Sequence, residues 1–152
     1  MTPDLQNAIE LVAGLMPADK PWWIIGSTAM ALAGIDIVPD DVDVLSDGAT
    51  VTAALQTLGI ASPPPSGSAR FRSSPFASYR APGAARIEFM GDLDLYENDA
   101  WTRLVVTTRM PVRVGGTIAY IPDLNEQILI LQRFGRDKDL RKAAQIAAFL
   151  TA

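Results

Sequence analysis

The chain is 152 residues long, 49% hydrophobic and 20% charged, with 13 basic and 17 acidic side chains and neither cysteine nor histidine. That balance predicts a single globular domain over residues 1–152, long enough to bury a sizeable core and too apolar for disorder. The missing residue types exclude disulfides, thiolate nucleophiles, Cys- or His-ligated zinc and Ser-His triads, and a net charge of −4 argues against bulk nucleic-acid binding.

In chain order, Leu5, Ala8, Ile9, Val12 and Leu15 or Met16 recur at helical spacing, predicting an amphipathic first helix that Pro17 and Pro21 end. WWII reads as a short buried strand, Trp22 toward the core and Trp23 toward the surface. Gly26-Ser27 follows, with Ser27 as N-cap of a helix over TAMALAG that is apolar nearly all round and therefore buried; Gly34 suits its end. DVDVL alternates, so Val42 and Val44 face a core. Ser46 or Asp47 caps a helix through ATVTAALQTLG, closed by Gly59. ASPPPSGSA, residues 61–69, is a loop inside the domain, because consecutive prolines remove backbone donors. RFRSSPFASYR and ARIEFM are two strand candidates joined by APGA, and GDLDLY after them reads as loop. MPVRVGGTIAYI alternates on either side of Gly115-Gly116 and predicts a hairpin. Asp123 and Glu126 form a capping-box pattern for a helix with apolar positions Ile128, Leu129, Leu131 and Phe134, and DLRKAAQIAAFL supplies a last helix. The fold class is α+β: a mixed sheet, flanking helices and a C-terminal helical pair. No apolar run reaches the roughly 18–20 residues of a membrane helix, and no basic-then-apolar leader opens the chain, so a cytoplasmic protein without membrane contacts is expected.

Chemistry here must rest on carboxylates, lysines, hydroxyls or a metal held by oxygen. Asp41 and Asp43, two residues apart in a strand, point the same way and repel; a divalent cation is the leading compensation. Mg²⁺ is usually held by a few carboxylates together with substrate phosphates and water, and a glycine followed by a helix start offers backbone donors to those phosphates. Glu88, alone between Ile87 and Phe89 in an apolar strand, is the third acid, either as a metal ligand or paired with Arg86 two residues earlier. Asp92 and Asp94 compete with it but follow a glycine. The length argues against a sugar-transferring Asp-x-Asp enzyme, and Leu45 stands where the dehalogenase type needs threonine.

The stretches WWIIGS, DVDV after thirteen intervening residues, and IEF resemble the DNA polymerase beta-type nucleotidyltransferase superfamily. With AYIPDLNEQILILQRFGRDKDLRKAAQIAAFL, which carries Arg136, Lys138 and Asp139, the chain is similar to the small bacterial branch of abortive-infection toxin-type and antibiotic nucleotidyltransferases over residues 22–150. The resemblance implies that Asp41, Asp43 and Glu88 hold Mg²⁺ or Mn²⁺ and that Gly26 and Ser27 hold the phosphates of a nucleoside triphosphate. It also implies that Glu88 is general base for an acceptor hydroxyl on a protein, an RNA end or a small molecule; Lys138 or Arg136 would reach a phosphate. The short chain favours a partner protein or second subunit completing the cleft.

The chain departs from the pattern at Pro39 and Asp40 before the first aspartate, at Arg141-Lys142 where relatives often have an acid, and at Gln132-Arg133 where a lysine is usual. These departures support a second reading, a catalytically inactive member acting as a binding module or toxin–antitoxin partner. Ser27 serves equally as helix cap. Arg70, Arg72 and Arg80 interleaved with Phe71, Phe76 and Tyr79 read as a charged edge strand or as a surface for a nucleic-acid end.

Overall fold

The computed structural model describes residues 1–61 and 66–152. Helix α1 (Pro3–Leu15) starts where Thr2 Oγ1 accepts the Leu5 amide and buries Leu5, Ala8, Ile9 and Val12. Strand β1 (Trp22–Ile25) leads straight into α2 (Gly26–Leu32), then β2 (Asp41–Ser46) and α3 (Gly48–Thr57), which Asp47 caps through the Thr50 amide. Eight strands follow among the described residues: β3 (Ser66–Gly67), β4 (Phe71–Ser73), β5 (Phe76–Tyr79), β6 (Arg86–Gly91), β7 (Asp94–Glu97) and β8 (Ala100–Arg103), with the hairpin β9 (Met110–Val114) and β10 (Thr117–Ile121) making up the rest. Helices α4 (Leu124–Phe134) and α5 (Asp137–Thr151) close the chain and pack together. No helix among the described residues is long and apolar enough to cross a membrane.

The central sheet has the order β1-β2-β6-β5, with β2 and β6 parallel and the outer strands antiparallel to them. This is the mixed α+β arrangement that the sequence predicts. Strand alternation sorts its side chains onto two faces. Trp22, Ile24, Val42, Val44, Ile87 and Phe89 join α1, α3 and β10 in one fully buried cluster. On the other face, Ile25 and Leu45, with Trp23 and Met90, pack against Leu93 and Leu95, the 104–106 segment and α4. A third cluster, Met30, Ile35, Leu131, Ala143 and Ile146, joins α2, α4 and α5.

Several local expectations are corrected. Ser27 does not cap α2: Ile25 is the N-cap, with no side-chain hydrogen bond, because Gly26 at φ +73° turns strand directly into helix. RFRSSPFASYR is two strands in different sheets, since Pro75 cannot donate to a ladder and the chain crosses between sheets there. GDLDLY is not a loop throughout: Asp92 turns at φ 46° and residues from Asp94 form β7, paired with β8 through an Asn98-Asp99 turn of positive φ. With β3 and β4 these make a second antiparallel sheet, β3-β4-β7-β8. The loop expected at 61–69 falls partly on 62–65, outside the described residues, while Ser66–Gly67 pairs with β4. Asp123 caps α4 through the Glu126 amide, but the Glu126 carboxylate turns away to the amides and hydroxyls of Thr107 and Thr108. Leu129 is 59% exposed, because the buried stripe of α4 runs through Gln127, Ile130, Leu131 and Phe134.

Candidate active site

The parallel register of β2 and β6 sets Asp41 opposite Arg86 and Asp43 opposite Glu88. Alternation keeps all four on the face away from Val42, Val44, Ile87 and Phe89. Carboxylate oxygens of Asp41, Asp43 and Glu88 lie within 4.8 Å of one another. The strand start is fixed from α2, where the Thr28 hydroxyl donates to the Asp41 carbonyl at 2.6 Å. Ile25 is the β1 neighbour of Asp43, so the β1–α2 turn arrives directly over that carboxylate. A Cβ on Gly26 would stand 3.1 Å from Asp43 Oδ2, and the φ of +73° already disfavours any side chain there.

Like charges at this distance are costly, and the structure shows where the cost falls. Burial, then the charges of Asp41 and Glu88, push the Asp43 carboxyl up to about 7, partly relieved by Lys142 and Lys138. Arg86 Nη2 donates to Asp41 Oδ2 at 3.2 Å and lies 3.5 Å from Glu88 Oε1. The hydrogen bond to Asp41, then the charge of Glu88, hold the Arg86 guanidinium above its ordinary value. Three convergent hard oxygen donors fit Mg²⁺ or Mn²⁺.

The trio lines one end of a cleft of about 480 Å³, within the usual range of ligand sites. Gly26 and Ser27 line the same cleft, as do Lys138 and Lys142 of α5 and the apolar Phe71, Phe76 and Phe134. All six residues singled out from sequence, Gly26, Ser27, Asp41, Asp43, Glu88 and Lys138, therefore share one cavity. Arg136 also lines it, but its Nε and Nη2 are bound to the buried Asp139 carboxylate at 2.6 and 3.1 Å. Asp92 and Asp94 lie outside. Burial pushes Asp94 up, yet hydrogen bonds from Arg103 and Arg72 outweigh it and hold the carboxyl below the usual range. The departure at Asp40 also lies apart: that side chain is exposed and does not line the cleft.

Sequence reasoning missed Lys142 as a cleft residue. The available signal was its i, i+4 spacing from Lys138, which puts both on one helix face. Arg72, read from the sequence as part of a charged edge strand or a surface for a nucleic-acid end, also lines the cleft, with its guanidinium carbon 4.4 Å from the Trp101 ring centre.

No protein-family model matches this sequence, and no curated protein sequence matches it. Solved structures do. The candidate nucleotidyltransferase TM1012 of Thermotoga maritima superposes with a TM-score of 0.75 at 18% identity, covering 95% of this chain and 91% of that one. The antibiotic-resistance factor ANT(2'')-Ia gives 0.55 at 13% identity over 95% of this chain and 83% of its own. An antigenic nucleotidyltransferase-like protein of Paracoccidioides brasiliensis gives 0.53 at 18%, over 96% and 76%. At these identities the likeness is one of architecture, and the chain has the nucleotidyltransferase fold.

Proposed function

We propose that this chain is a divalent-metal-dependent nucleotidyltransferase that moves a nucleoside monophosphate from a nucleoside triphosphate to a hydroxyl acceptor. The observation that carries the reading is the meeting of Asp41, Asp43 and Glu88 within 4.8 Å, in a cleft shared with Gly26 and two lysines. Asp41, Asp43 and Glu88 would hold Mg²⁺ or Mn²⁺. When bound, the metal supplies charge neutralisation at the reacting phosphate and acidifies the acceptor hydroxyl.

The chain's own groups account for the rest. Backbone N–H groups at Gly26 and Ser27 bind phosphate oxygens, which the absence of a Cβ at Gly26 permits. Lys138 and Lys142, on α5, neutralise phosphate oxygens in the same cleft. Glu88 accepts the acceptor's proton, the hydroxyl oxygen bonds to the α-phosphorus, and the bond to the β-phosphate oxygen breaks to release pyrophosphate. The acceptor is a protein side chain, an RNA end or a small molecule.

The test is incubation with each labelled nucleoside triphosphate, Mg²⁺ and cell extract, beside an Asp43→Asn variant. Labelled product from the natural protein and none from the variant supports the reading. A second reading, a non-catalytic binding module, draws on the Arg86 contacts that already balance two of the acids. It predicts no product and no thermal stabilisation by Mg²⁺ with nucleotide in either protein.

A further inference from the structure

Arg86 stands two residues before Glu88 on β6 and directly across from Asp41 in the register. One nitrogen, Nη2, reaches both Asp41 Oδ2 and Glu88 Oε1. The guanidinium therefore sits against two of the three carboxylates proposed as metal ligands, while Asp43 receives no hydrogen bond from it. The Arg86 side chain is also 55% exposed, so it has room to leave.

We propose that Arg86 is the resident cation of the trio: it balances Asp41 and Glu88 when no metal is bound, and a divalent ion must displace it to bind. The inference rests on the proposed metal-binding reading of the trio. Its physical basis is charge balance. Three carboxylates this close need positive charge, and a guanidinium and a divalent ion a few ångströms apart on shared ligands repel each other. Arg86 is then a positioning residue that sets the metal concentration at which the site fills. It holds the carboxylates near one another without metal, and it weakens metal binding by having to move.

Mn²⁺ titration of the natural protein, Arg86→Gln and Arg86→Lys, followed by electron paramagnetic resonance, tests this. Arg86→Gln should bind Mn²⁺ about tenfold more tightly and melt lower than the natural protein without metal, the gap closing at saturating Mn²⁺. Arg86→Lys, which keeps the charge but not the planar fork, should fall between them. Equal or weaker binding by Arg86→Gln, with unchanged circular dichroism, would overturn the role of Arg86 and leave the metal site standing. Absence of Mn²⁺ binding in all three proteins would overturn the metal reading itself. Should Arg86→Gln not fold, ¹⁵N spectra of the natural protein decide: the Arg86 side-chain signals should shift on Mg²⁺ addition, and signals that stay put at saturation overturn the displacement.

Discussion

The two faces of β2 are made by the same six residues under the same backbone geometry, yet they do opposite things. Val42 and Val44 are fully buried among α1, α3 and the neighbouring strands. Asp41 and Asp43, one residue away from each, open onto the cleft. The difference lies in what covers each face. Apolar helices seal the first along its whole length. On the second, α4 and the second sheet cover the end marked by Leu45, Met90 and Trp23, and the other end is left to charged groups. Stability comes from the closed face; the open end holds electrostatic repulsion that a bound cation or a proton on Asp43 relieves. A preorganised cluster of like charges of this kind is expected to lower stability.

That contrast can be broken from either side. On the open end, Asp43→Asn should lower nucleotide transfer at least about a thousandfold, while the metal-free variant melts no lower than the natural protein; labelled-product assays and thermal melts check the pair. On the closed face, Phe89→Ala should do the reverse, costing about 3–5 kcal/mol of stability in denaturant titrations through cavity formation.

The metal-free protein should also report the stored repulsion through pH. The Asp43 carboxyl is raised from an ordinary 3.8 to about 7, so the folded state holds its proton more tightly than the unfolded state. Its contribution to stability is then complete below about pH 4 and is lost as pH rises through 7. Between pH 5.5 and 8, Asp43 should cost about 2 kcal/mol in the natural protein, and Asp43→Asn should flatten the profile. Asp94, Glu97 and Glu126 are all held below their ordinary values, so they stay ionised across this window.

Smaller effects sharpen the comparison. Lys142→Ala should raise KM for the triphosphate about tenfold with little change in melting, because the side chain lines the cleft and is not part of a buried cluster. Asp47→Ala removes the cap of α3 on the closed side and should cost about 1 kcal/mol without altering transfer.

Much of this was legible in the chain itself. The strong periodicities located α1, the β9–β10 hairpin and the C-terminal helices, and the order of apolar strand, Gly-Ser and Asp-x-Asp pointed to the open end of the sheet. Less legible was everything decided by partners distant in sequence. β7 looked like a loop because Asp92 and Asp94 follow a glycine, and only the arginines of β4 and β8 make the charge of Asp94 acceptable within a strand. Glu126 matched a capping box, but two threonine residues at 107 and 108 offered its carboxylate four donors instead of one. Leu129 fitted a helical stripe one position away from the one that α4 buries.

The sequence by itself determined which ligand types the chain can offer, since without cysteine or histidine any metal would be left to oxygen donors, and it determined that Asp41 and Asp43 share a face, because strand alternation is local. The tertiary structure alone decided that Glu88, and neither Asp92 nor Asp94, completes the trio, that Arg86 stands across from Asp41, and that Lys138 and Lys142 look into the cleft. Register between parallel strands and the docking of a terminal helix are set by packing between segments far apart in the chain, and no local pattern encodes them.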